Sequence, residues 1–460
     1  MELVCKNVEN EKELTEVLRL FYPTFEEEQE GKIFFEKTED EYVIDVLGKI
    51  FRIKKYLKKE KSDEKRALYL ALSSALGKTF EWGSLTGVRP TKLAYDLLST
   101  GTEKHLLKET LIRDYNLSEN KAKLVRDVIS NQNCIIKNDN LVDFFVNIPI
   151  CPSRCKYCSF ISSEIGEVKD MVENYVEALI CEIKAAKEII AKKNLIVRSV
   201  YVGGGTPTVL SAQDLKRILS EINFRATELT VEAGRPDTIT REKLSVLKEM
   251  GVTRICVNPQ TFCERTLKAI GRNHGVKEIL SAYKLAVEFG FDVNLDLIAG
   301  LPGETFQTFK KSLQAAIEMA PANITVHALA LKRGSTLTIQ KQKDKSISLE
   351  VPPPKEVEKM ISFANAELLK EGFVPYYLYR QKNTPLGLEN VGYAQKGKIC
   401  LFNVDSMEET TSVIACGANA ISKRVFSVEN RIERSPNVKF IDEYISRLDE
   451  MIERKKQLFI

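Results

Sequence analysis

The sequence lacks any hydrophobic run long enough to cross a membrane, because no stretch of about 18 apolar residues occurs in its 460 residues. Its start, Met1 to Lys6, lacks the basic residues and apolar stretch of a secretory signal. It also lacks a strong excess of either charge, since 68 basic and 64 acidic residues leave a formal net charge of +4. We therefore expect a soluble, cytoplasmic protein without membrane insertion or a nucleic-acid partner. The lysine-rich stretch 54–66 also contains acidic residues, and we interpret it as a solvated helix face rather than a nucleic-acid patch.

Histidine is scarce as well, with three residues in the chain, whereas there are ten cysteines. Dispersed cysteines in so long a chain do not form the disulfide framework of a small secreted domain, so we expect reduced thiols. Three of them crowd into eight residues, at Cys151, Cys155 and Cys158. The others have no ligand spacing, and we interpret them as packing residues: Cys5, Cys134, Cys181, Cys256, Cys263, Cys400 and Cys416.

The alternation of strand-like and helical patterns divides the chain into three predicted domains. Residues 1–130 predict an N-terminal α+β, largely helical accessory domain, 141–335 a barrel, and 350–460 a C-terminal cap. In the middle domain six strand patterns alternate with helical patterns, which indicates parallel strands with right-handed crossovers. Six repeats fall short of the eight of a complete TIM barrel. We expect an α/β fold with a partial (β/α)6 TIM-like barrel, and a doubly wound sheet is the alternative.

The clustered cysteines have the spacing C-x3-C-x2-C and directly follow the first barrel strand, 142–148. Barrel enzymes carry their chemistry at the carboxyl ends of the strands. Three thiolates leave one position open, whereas a structural zinc site takes four ligands and is closed. The pattern therefore favours a four-iron cluster with one iron free for a ligand. The alternatives are a zinc site completed from a distance and three ordinary packing cysteines.

Later strand ends carry glycines and polar groups. Gly203 to Thr208, G-G-G-T-P-T, follows the second strand, and these glycines let backbone approach a ligand closely. Glu232, Gln260 and Asp296 place polar groups in otherwise apolar runs at three successive strand ends. We expect them to share one site, the alternative being surface exposure on alternating faces. His327, at the sixth strand end, either faces that site or packs.

The loop C-P-S-R-C-K-Y-C, residues 151–158, resembles the signature of radical S-adenosylmethionine (SAM) enzymes. The resemblance implies a [4Fe-4S] cluster whose open iron is chelated by the amino and carboxylate groups of SAM. Reductive cleavage of the sulfonium bond then gives a 5′-deoxyadenosyl radical. In that superfamily the glycine segment meets the methionine end of SAM.

Further strings are similar to the oxygen-independent coproporphyrinogen III oxidase family: F-V-N-I-P-I-C, N-P-Q-T-F, I-G-R-N-H and D-L-I-A-G-L-P-G-E-T. W-G-S-L-T-G-V-R-P-T-K, P-Y-Y-L-Y-R-Q-K, E-N-V-G-Y-A and A-C-G-A-N-A-I-S-K resemble its HemZ branch, over nearly the whole chain. The resemblance implies an open radical SAM barrel with a C-terminal cap. It also implies an oxidoreductase of porphyrin and haem biosynthesis that converts two propionates of coproporphyrinogen III to vinyls, giving protoporphyrinogen IX.

The same resemblance implies one or two bound SAM molecules. Residues bordering the first would be Phe145, Gly204, Glu232 and Ile421. Residues bordering the second would be Tyr157, Gly205, Thr206, Gln260, Arg272, Asp296 and Ala330. The planar guanidinium of Arg272 can also bind a carboxylate. The alternative is that Arg272 is an exposed arginine on a helix. The expected partners are a tetrapyrrole substrate and an electron donor such as flavodoxin or ferredoxin, and we expect a monomer.

Three positions depart from the oxidase pattern. Phe160 stands where the oxidases have a fourth cysteine, Phe145 where they have a tyrosine, and Asn147 where they have a histidine. Phe160 matches the related haem-chaperone branch. The alternative functions are therefore a haem-binding chaperone and a radical SAM enzyme acting on another substrate.

Overall fold

The chain forms two compact units. The computed structural model describes residues 1–22, 31–136, 138–332, 334–343, 350–381 and 384–460. Unit 1 comprises Met1–Asn131 with Leu378–Glu389, and unit 2 comprises Gln132–Tyr377 with Asn390–Ile460. Unit 2 holds most of both segments that the sequence assigned to a barrel and a cap, and the three sequence domains stay a prediction.

Unit 1 combines a four-stranded sheet with a group of helices. Its elements, with a 3₁₀ turn at Lys104–Leu106, are β1 (Glu2–Lys6), α1 (Glu11–Phe21), β2 (Lys32–Lys37), β3 (Glu41–Val46), β4 (Lys49–Lys54), α2 (Glu60–Leu76), α3 (Pro90–Ser99), α4 (Leu107–Tyr115) and α5 (Glu119–Asn131). The sheet order is β1-β2-β3-β4, with β1 and β2 parallel and the other pairs antiparallel.

Alternating burial explains why this sheet packs on one face only. In β3 every second side chain is buried, and the apolar sides of α1 and α2 cover that face. The stretch 54–66 was expected to be a solvated helix face, which is wrong for three of its charged residues. Asp63, Glu64 and Lys65 are buried, and Asp63 accepts hydrogen bonds from two backbone amides that precede α2.

Unit 2 is built around a large sheet flanked by helices. Up to the sixth barrel strand its elements are β5 (Leu141–Ile148), β6 (Ile150–Cys151), β7 (Ser163–Glu164), α6 (Ile165–Val168), α7 (Val172–Lys192), β8 (Ile196–Gly204), α8 (Ala212–Glu221), β9 (Glu228–Glu232), α9 (Arg241–Glu249), β10 (Arg254–Cys256), α10 (Glu264–Ala269), α11 (Val276–Glu288), β11 (Asp292–Ala299), α12 (Phe306–Glu318) and β12 (Asn323–Ala328). Those that follow are α13 (Thr336–Lys343), α14 (Pro354–Lys370), β13 (Val374–Arg380), β14 (Glu389–Ala394), α15 (Leu401–Glu408), β15 (Ser412–Cys416), β16 (Ile421–Phe426), β17 (Arg431–Pro436), α16 (Ile441–Ser446) and α17 (Leu448–Phe459). The last three residues of β13 and the first residue of β14 belong to unit 1.

The six predicted barrel strands are present, with ends within three residues of the expected ones. β5, β8, β9, β10, β11 and β12 lie side by side in sequence order, and every neighbouring pair is parallel. A doubly wound sheet reverses its strand order at a switch point, and this order does not reverse. The α/β fold with a partial (β/α)6 barrel is therefore confirmed, and the doubly wound alternative is wrong.

The barrel stays open because both of its end strands pair with later parts of the chain. β12 pairs antiparallel with β14, and β5 pairs parallel with β15. β16 and β17 extend the sheet beyond β15 by antiparallel pairing. Sequence reasoning missed β14, β15, β16 and β17, which are each five or six residues long. Within the part of the chain that the structure describes, no helix is long and apolar enough to span a membrane.

Candidate functional site

The cysteine loop begins where β5 ends, at the carboxyl edge of the barrel sheet. Cys151 closes β6, Cys155 is buried, and Cys158 is half-buried. Backbone hydrogen bonds shape the loop: the Cys158 amide donates to the Cys155 carbonyl at 3.0 Å, and the Lys156 amide donates to the Ile270 carbonyl at 3.0 Å. The Thr206 hydroxyl lies 3.7 Å from the Cys151 sulfur. Two of the predicted site segments therefore meet.

Three thiols on one loop are the type of donor that iron–sulfur clusters take. Among the residues that the structure describes, no group of three or more His, Cys, Asp or Glu is placed to hold one metal ion. Burial raises the pKa of the Cys151 and Cys158 thiols, so thiolates form there as metal binds.

The glycine segment at the end of β8 has a steric reason of its own. Gly204 has φ +106°, and a Cβ there would overlap Asn147 Oδ1. A Cβ on Gly205 would lie 2.6 Å from the Ile150 carbonyl oxygen. The Gly205 amide donates to the Ile148 carbonyl at 2.9 Å, which holds the two segments together. The glycines thus allow β8 to lie against the strand that leads into the cysteine loop.

Glu232, at the end of β9, lies beside an aromatic stack. The Tyr201 hydroxyl donates to Glu232 Oε1 at 2.7 Å. Phe402 stacks on Tyr201 with ring centroids 4.5 Å apart, and Phe145 stacks on Phe402 at 5.7 Å. Burial, together with the nearby charge of Asp296, raises the pKa of the Glu232 carboxyl to about 7. Sequence reasoning missed Tyr201 and Phe402, since only folding brings Phe402 beside β8.

Gln260 and Asp296 are joined through the backbone. The Gln260 amide donates to the Asp296 carbonyl at 2.9 Å, and Gln260 has φ +66°, uncommon for a residue other than glycine. Its side-chain oxygen is buried and has no hydrogen-bond partner in the described part of the chain. Such an orphan costs about 1–3 kcal/mol, so a ligand donor there would be stabilising. His327 Nε2 lies 3.8 Å from Asp296 Oδ2, which places the histidine at the site.

Arg272 is buried in the loop after α10, so the alternative of an exposed helix arginine is wrong. Its Nη1 donates to the Asn258 carbonyl at 2.5 Å and to the Gly234 carbonyl at 3.2 Å, and its Nη2 donates to the Tyr157 hydroxyl at 3.2 Å. These contacts tie Tyr157 of the cysteine loop to the ends of β9 and β10. The guanidinium is thus largely engaged by the protein itself.

Two predicted residues lie less deeply. Ala330 is half-buried just after β12, and Ile421 is half-exposed at the start of β16. Ala420, next to Ile421, packs in one cluster with Phe145. Phe145, Tyr157, Thr206 and Glu232 make the ring contacts and hydrogen bonds described above, whereas Ala330 and Ile421 are placed by their positions next to strands.

The three departures from the oxidase pattern have different surroundings, and one of them, Phe145, lies in the aromatic stack described above. Phe160 is 65% exposed two residues after Cys158. Asn147 is buried, and its side-chain amide donates to the Ala418 carbonyl at 2.5 Å.

Of the cysteines interpreted as packing residues, Cys181 is exposed on α7, so that interpretation is wrong there. Cys256, Cys400 and Cys416 are buried.

Comparison with known proteins decides the family. The Radical SAM superfamily profile matches residues 147–316. The oxygen-independent coproporphyrinogen-III oxidase-like protein HemZ of Bacillus subtilis is 37% identical over 410 residues, covering 85% of this chain and 80% of HemZ. The chain belongs to the radical SAM superfamily, in its HemZ-like branch. Membership in the superfamily implies a [4Fe-4S] cluster and SAM.

Two further proteins match smaller shares of this chain than HemZ does. The heme chaperone HemW of Bacillus subtilis is 31% identical over 239 residues, covering 50% of this chain and 61% of HemW. The solved structure of coproporphyrinogen III oxidase (HemN) from Escherichia coli superposes with a TM-score of 0.55 at 22% identity, covering 72% of this chain and 73% of HemN. The HemN likeness shows the fold.

Proposed function

We propose that this radical SAM protein is an oxidoreductase of porphyrin and haem biosynthesis that oxidatively decarboxylates coproporphyrinogen III. Two propionates become vinyls, giving protoporphyrinogen IX. For each propionate, one hydrogen atom is abstracted, carbon dioxide leaves, and the remaining electron passes to an external acceptor. The observation that carries the proposal is the three-cysteine loop at the carboxyl edge of an open six-stranded barrel, in a chain 37% identical to HemZ.

Cys151, Cys155 and Cys158 would hold the [4Fe-4S] cluster as thiolates. When bound and supplied with an electron, the cluster and SAM would supply the radical chemistry that abstraction of a propionate hydrogen requires. Three ligands leave one iron free for SAM, and the loop is already shaped by backbone hydrogen bonds. A flavodoxin or ferredoxin would supply the electron, and the chain would act as a cytoplasmic monomer.

The residues around the loop would bind and orient SAM. Phe145, Gly204, Glu232 and Ile421 would border a first SAM, while Tyr157, Gly205, Thr206, Gln260, Arg272, Asp296 and Ala330 would border a second. The unpaired Gln260 side-chain oxygen can accept a hydrogen bond from a ligand. Glu232, with a pKa raised to about 7, can bind an amino group as a carboxylate or hold a proton near neutral pH. The Tyr201 ring, which stacks on Phe402, carries the hydroxyl that donates to that carboxyl.

A second candidate is a haem-binding chaperone, and Phe160 and Asn147 favour it. The Asn147 side-chain amide donates to the Ala418 carbonyl. In that position it does not act as a proton donor to a substrate. Phe160 offers an exposed ring instead of a fourth thiol. The 31% identity to HemW over half of this chain agrees with this candidate.

Anaerobic reconstitution followed by assay tests the two candidates. Reduced protein with SAM, coproporphyrinogen III and a one-electron acceptor should yield 5′-deoxyadenosine, carbon dioxide and protoporphyrinogen IX. Cys155→Ala should lose both the brown cluster absorbance and the products, and Cys181→Ala, an exposed cysteine outside the loop, should keep them. Deoxyadenosine without any consumption of coproporphyrinogen would contradict the proposed reaction. Stoichiometric haem binding without SAM cleavage would support the chaperone.

A further inference from the structure

A buried arginine in the turn after β9 contacts the cysteine loop. Arg235 is 3% exposed, and its Nη1 donates to the Ser153 carbonyl at 3.1 Å and to the Ser153 hydroxyl at 3.0 Å. Ser153 lies midway between Cys151 and Cys155. Arg235 Nη1 thus holds both the carbonyl and the hydroxyl of Ser153, in the segment between Cys151 and Cys155.

Asp237 fixes the other side of the same guanidinium. Arg235 Nε lies 3.0 Å from Asp237 Oδ1, and Arg235 Nη2 lies 2.9 Å from Asp237 Oδ2, a bidentate pair. His274, also buried, places its Nδ1 3.1 Å from Asp237 Oδ1. The order of contacts is therefore His274, Asp237, Arg235 and Ser153.

Only one partner of this ion pair is buried, since the Arg235 side chain is 3% exposed and the Asp237 side chain is 29% exposed. Burial of the guanidinium costs desolvation free energy, which offsets part of its attraction to the partly exposed carboxylate. A guanidinium does offer directional donors, and here they point at the loop and at Asp237. Groups that contact metal ligands from outside orient the ligands and tune the metal.

We propose that Arg235, held by Asp237 and His274, is a positioning residue that keeps the cysteine loop in its ligating shape and sets the charge beside the cluster. The proposal rests on the proposed function in one respect, since it takes Cys151, Cys155 and Cys158 as cluster ligands. Sequence reasoning missed all three residues of this group, because Arg235 and Asp237 lie in a turn and His274 lies far along the chain.

The first test uses the cluster-free full chain and amide hydrogen exchange. Arg235→Gln should exchange faster than wild type at residues 153–158, because the Ser153 contacts are lost. Arg241→Gln, which removes an exposed ion pair to Glu288, is the control and should exchange as wild type does. Where Arg235→Gln does not melt cooperatively, Ser153→Ala replaces it and removes only one of the two acceptors. Exchange at wild-type rates would overturn the proposal.

The second test uses the reconstituted protein and reads the cluster, not the reaction. Iron loss to a chelator should be about tenfold faster in Arg235→Gln. The midpoint potential should shift to more negative values in Arg235→Gln, which removes a positive charge, and to more positive values in Asp237→Asn, which removes a negative one. A role in folding alone would not give shifts of opposite sign, so shifts of the same sign or none would overturn the proposal.

The two proposals fail in different ways. If the wild-type chain takes up no cluster, the proposed function is wrong, and the exchange measurement still decides the role of Arg235 in the loop. If the cluster forms and coproporphyrinogen is consumed while Arg235→Gln behaves as wild type, only the positioning role is wrong.

Discussion

At Gly204 the backbone conformation and the nearest neighbour both exclude a side chain. Its φ of +106° is costly for any residue with a Cβ, and that Cβ would overlap Asn147 Oδ1. Asn147 cannot easily move away, because its amide donates to the Ala418 carbonyl. This single residue therefore couples the end of β8 to the end of β5.

We expect Gly204→Ala to lower the free energy of unfolding of the cluster-free chain by about 3 kcal/mol, from backbone strain and overlap together. Gly397→Ala is the matched control, since Gly397 has φ +79° but nothing within 4 Å of its Cβ position. Strain alone should cost about 1 kcal/mol there. Urea unfolding measures both, and equal losses would contradict the steric explanation.

Glu304 shows how burial changes a carboxyl. It is 4% exposed, and burial raises its pKa from 4.5 to about 8. Hydrogen bonds from the Leu301 and Gly300 amides lower the pKa, but burial has the larger effect. The folded chain thus holds a proton that the unfolded chain releases near pH 4.5. This stabilisation is full below pH 4.5 and is lost as the pH rises through about 8.

Glu304→Gln should remove that pH dependence. Between pH 5 and pH 8.5 the wild type should lose on the order of a few kcal/mol more unfolding free energy than the variant. Urea titrations at several pH values measure the difference, with the exposed Glu249→Gln as control. Parallel pH profiles for wild type and Glu304→Gln would contradict the assignment.

Among the elements, the starts of four barrel strands are joined by one buried arginine. Arg254, at the start of β10, donates to Glu228 Oε2 of β9 at 3.2 Å and to Asn294 Oδ1 of β11 at 2.8 Å, and it also contacts Asn323 Oδ1 of β12. Glu228 in turn accepts a hydrogen bond from the Leu401 amide at 3.1 Å. This network lies at the opposite end of the strands from the cysteine loop.

Arg254→Met should destabilise the barrel by about 3–5 kcal/mol, because it leaves the Glu228 carboxylate buried without its cation. Arg241→Met, which removes an exposed ion pair, should cost less than about 0.5 kcal/mol. Chemical unfolding followed by circular dichroism gives both values. A loss of under about 1 kcal/mol for Arg254→Met would contradict the role given to the network.

For the whole molecule, unit 1 depends on residues distant in sequence. Leu378–Glu389 belongs to it, and Glu389 supplies a buried carboxylate. Lys121 Nζ lies 2.6 Å from Glu389 Oε1, and the indole nitrogen of Trp82 donates to Glu389 Oε2 at 2.8 Å. Trp82 is the only tryptophan in the chain, so its fluorescence reports on this unit.

Glu389→Gln should therefore lower the stability of unit 1 by about 3–5 kcal/mol, since Lys121 loses its buried counter-charge. The Trp82 fluorescence transition should move to lower urea concentration. Glu81→Gln, which removes a half-buried carboxylate 3.7 Å from Lys121, should have a much smaller effect. An unshifted Trp82 transition in Glu389→Gln would show that the pair contributes little.

The sequence by itself determined the repeating units and the position of the three clustered thiols. Apolar strands alternating with amphipathic helices require parallel βα units, and C-x3-C-x2-C directly after a strand places three thiols on one loop, whatever surrounds them. It also indicated that Glu232, Gln260 and Asp296 follow successive strands. These properties depend on neighbours in the chain, which is why local patterns reveal them.

Only the tertiary structure decided which distant groups complete the site. Phe402 reaches Tyr201, His274 reaches Asp237, and β15 pairs with β5, each across more than 30 residues of chain. It also decided that Arg272 and Asn147 are held by backbone carbonyls. Packing and hydrogen bonding between separate elements depend on how the elements are arranged in space, and no local periodicity encodes that arrangement.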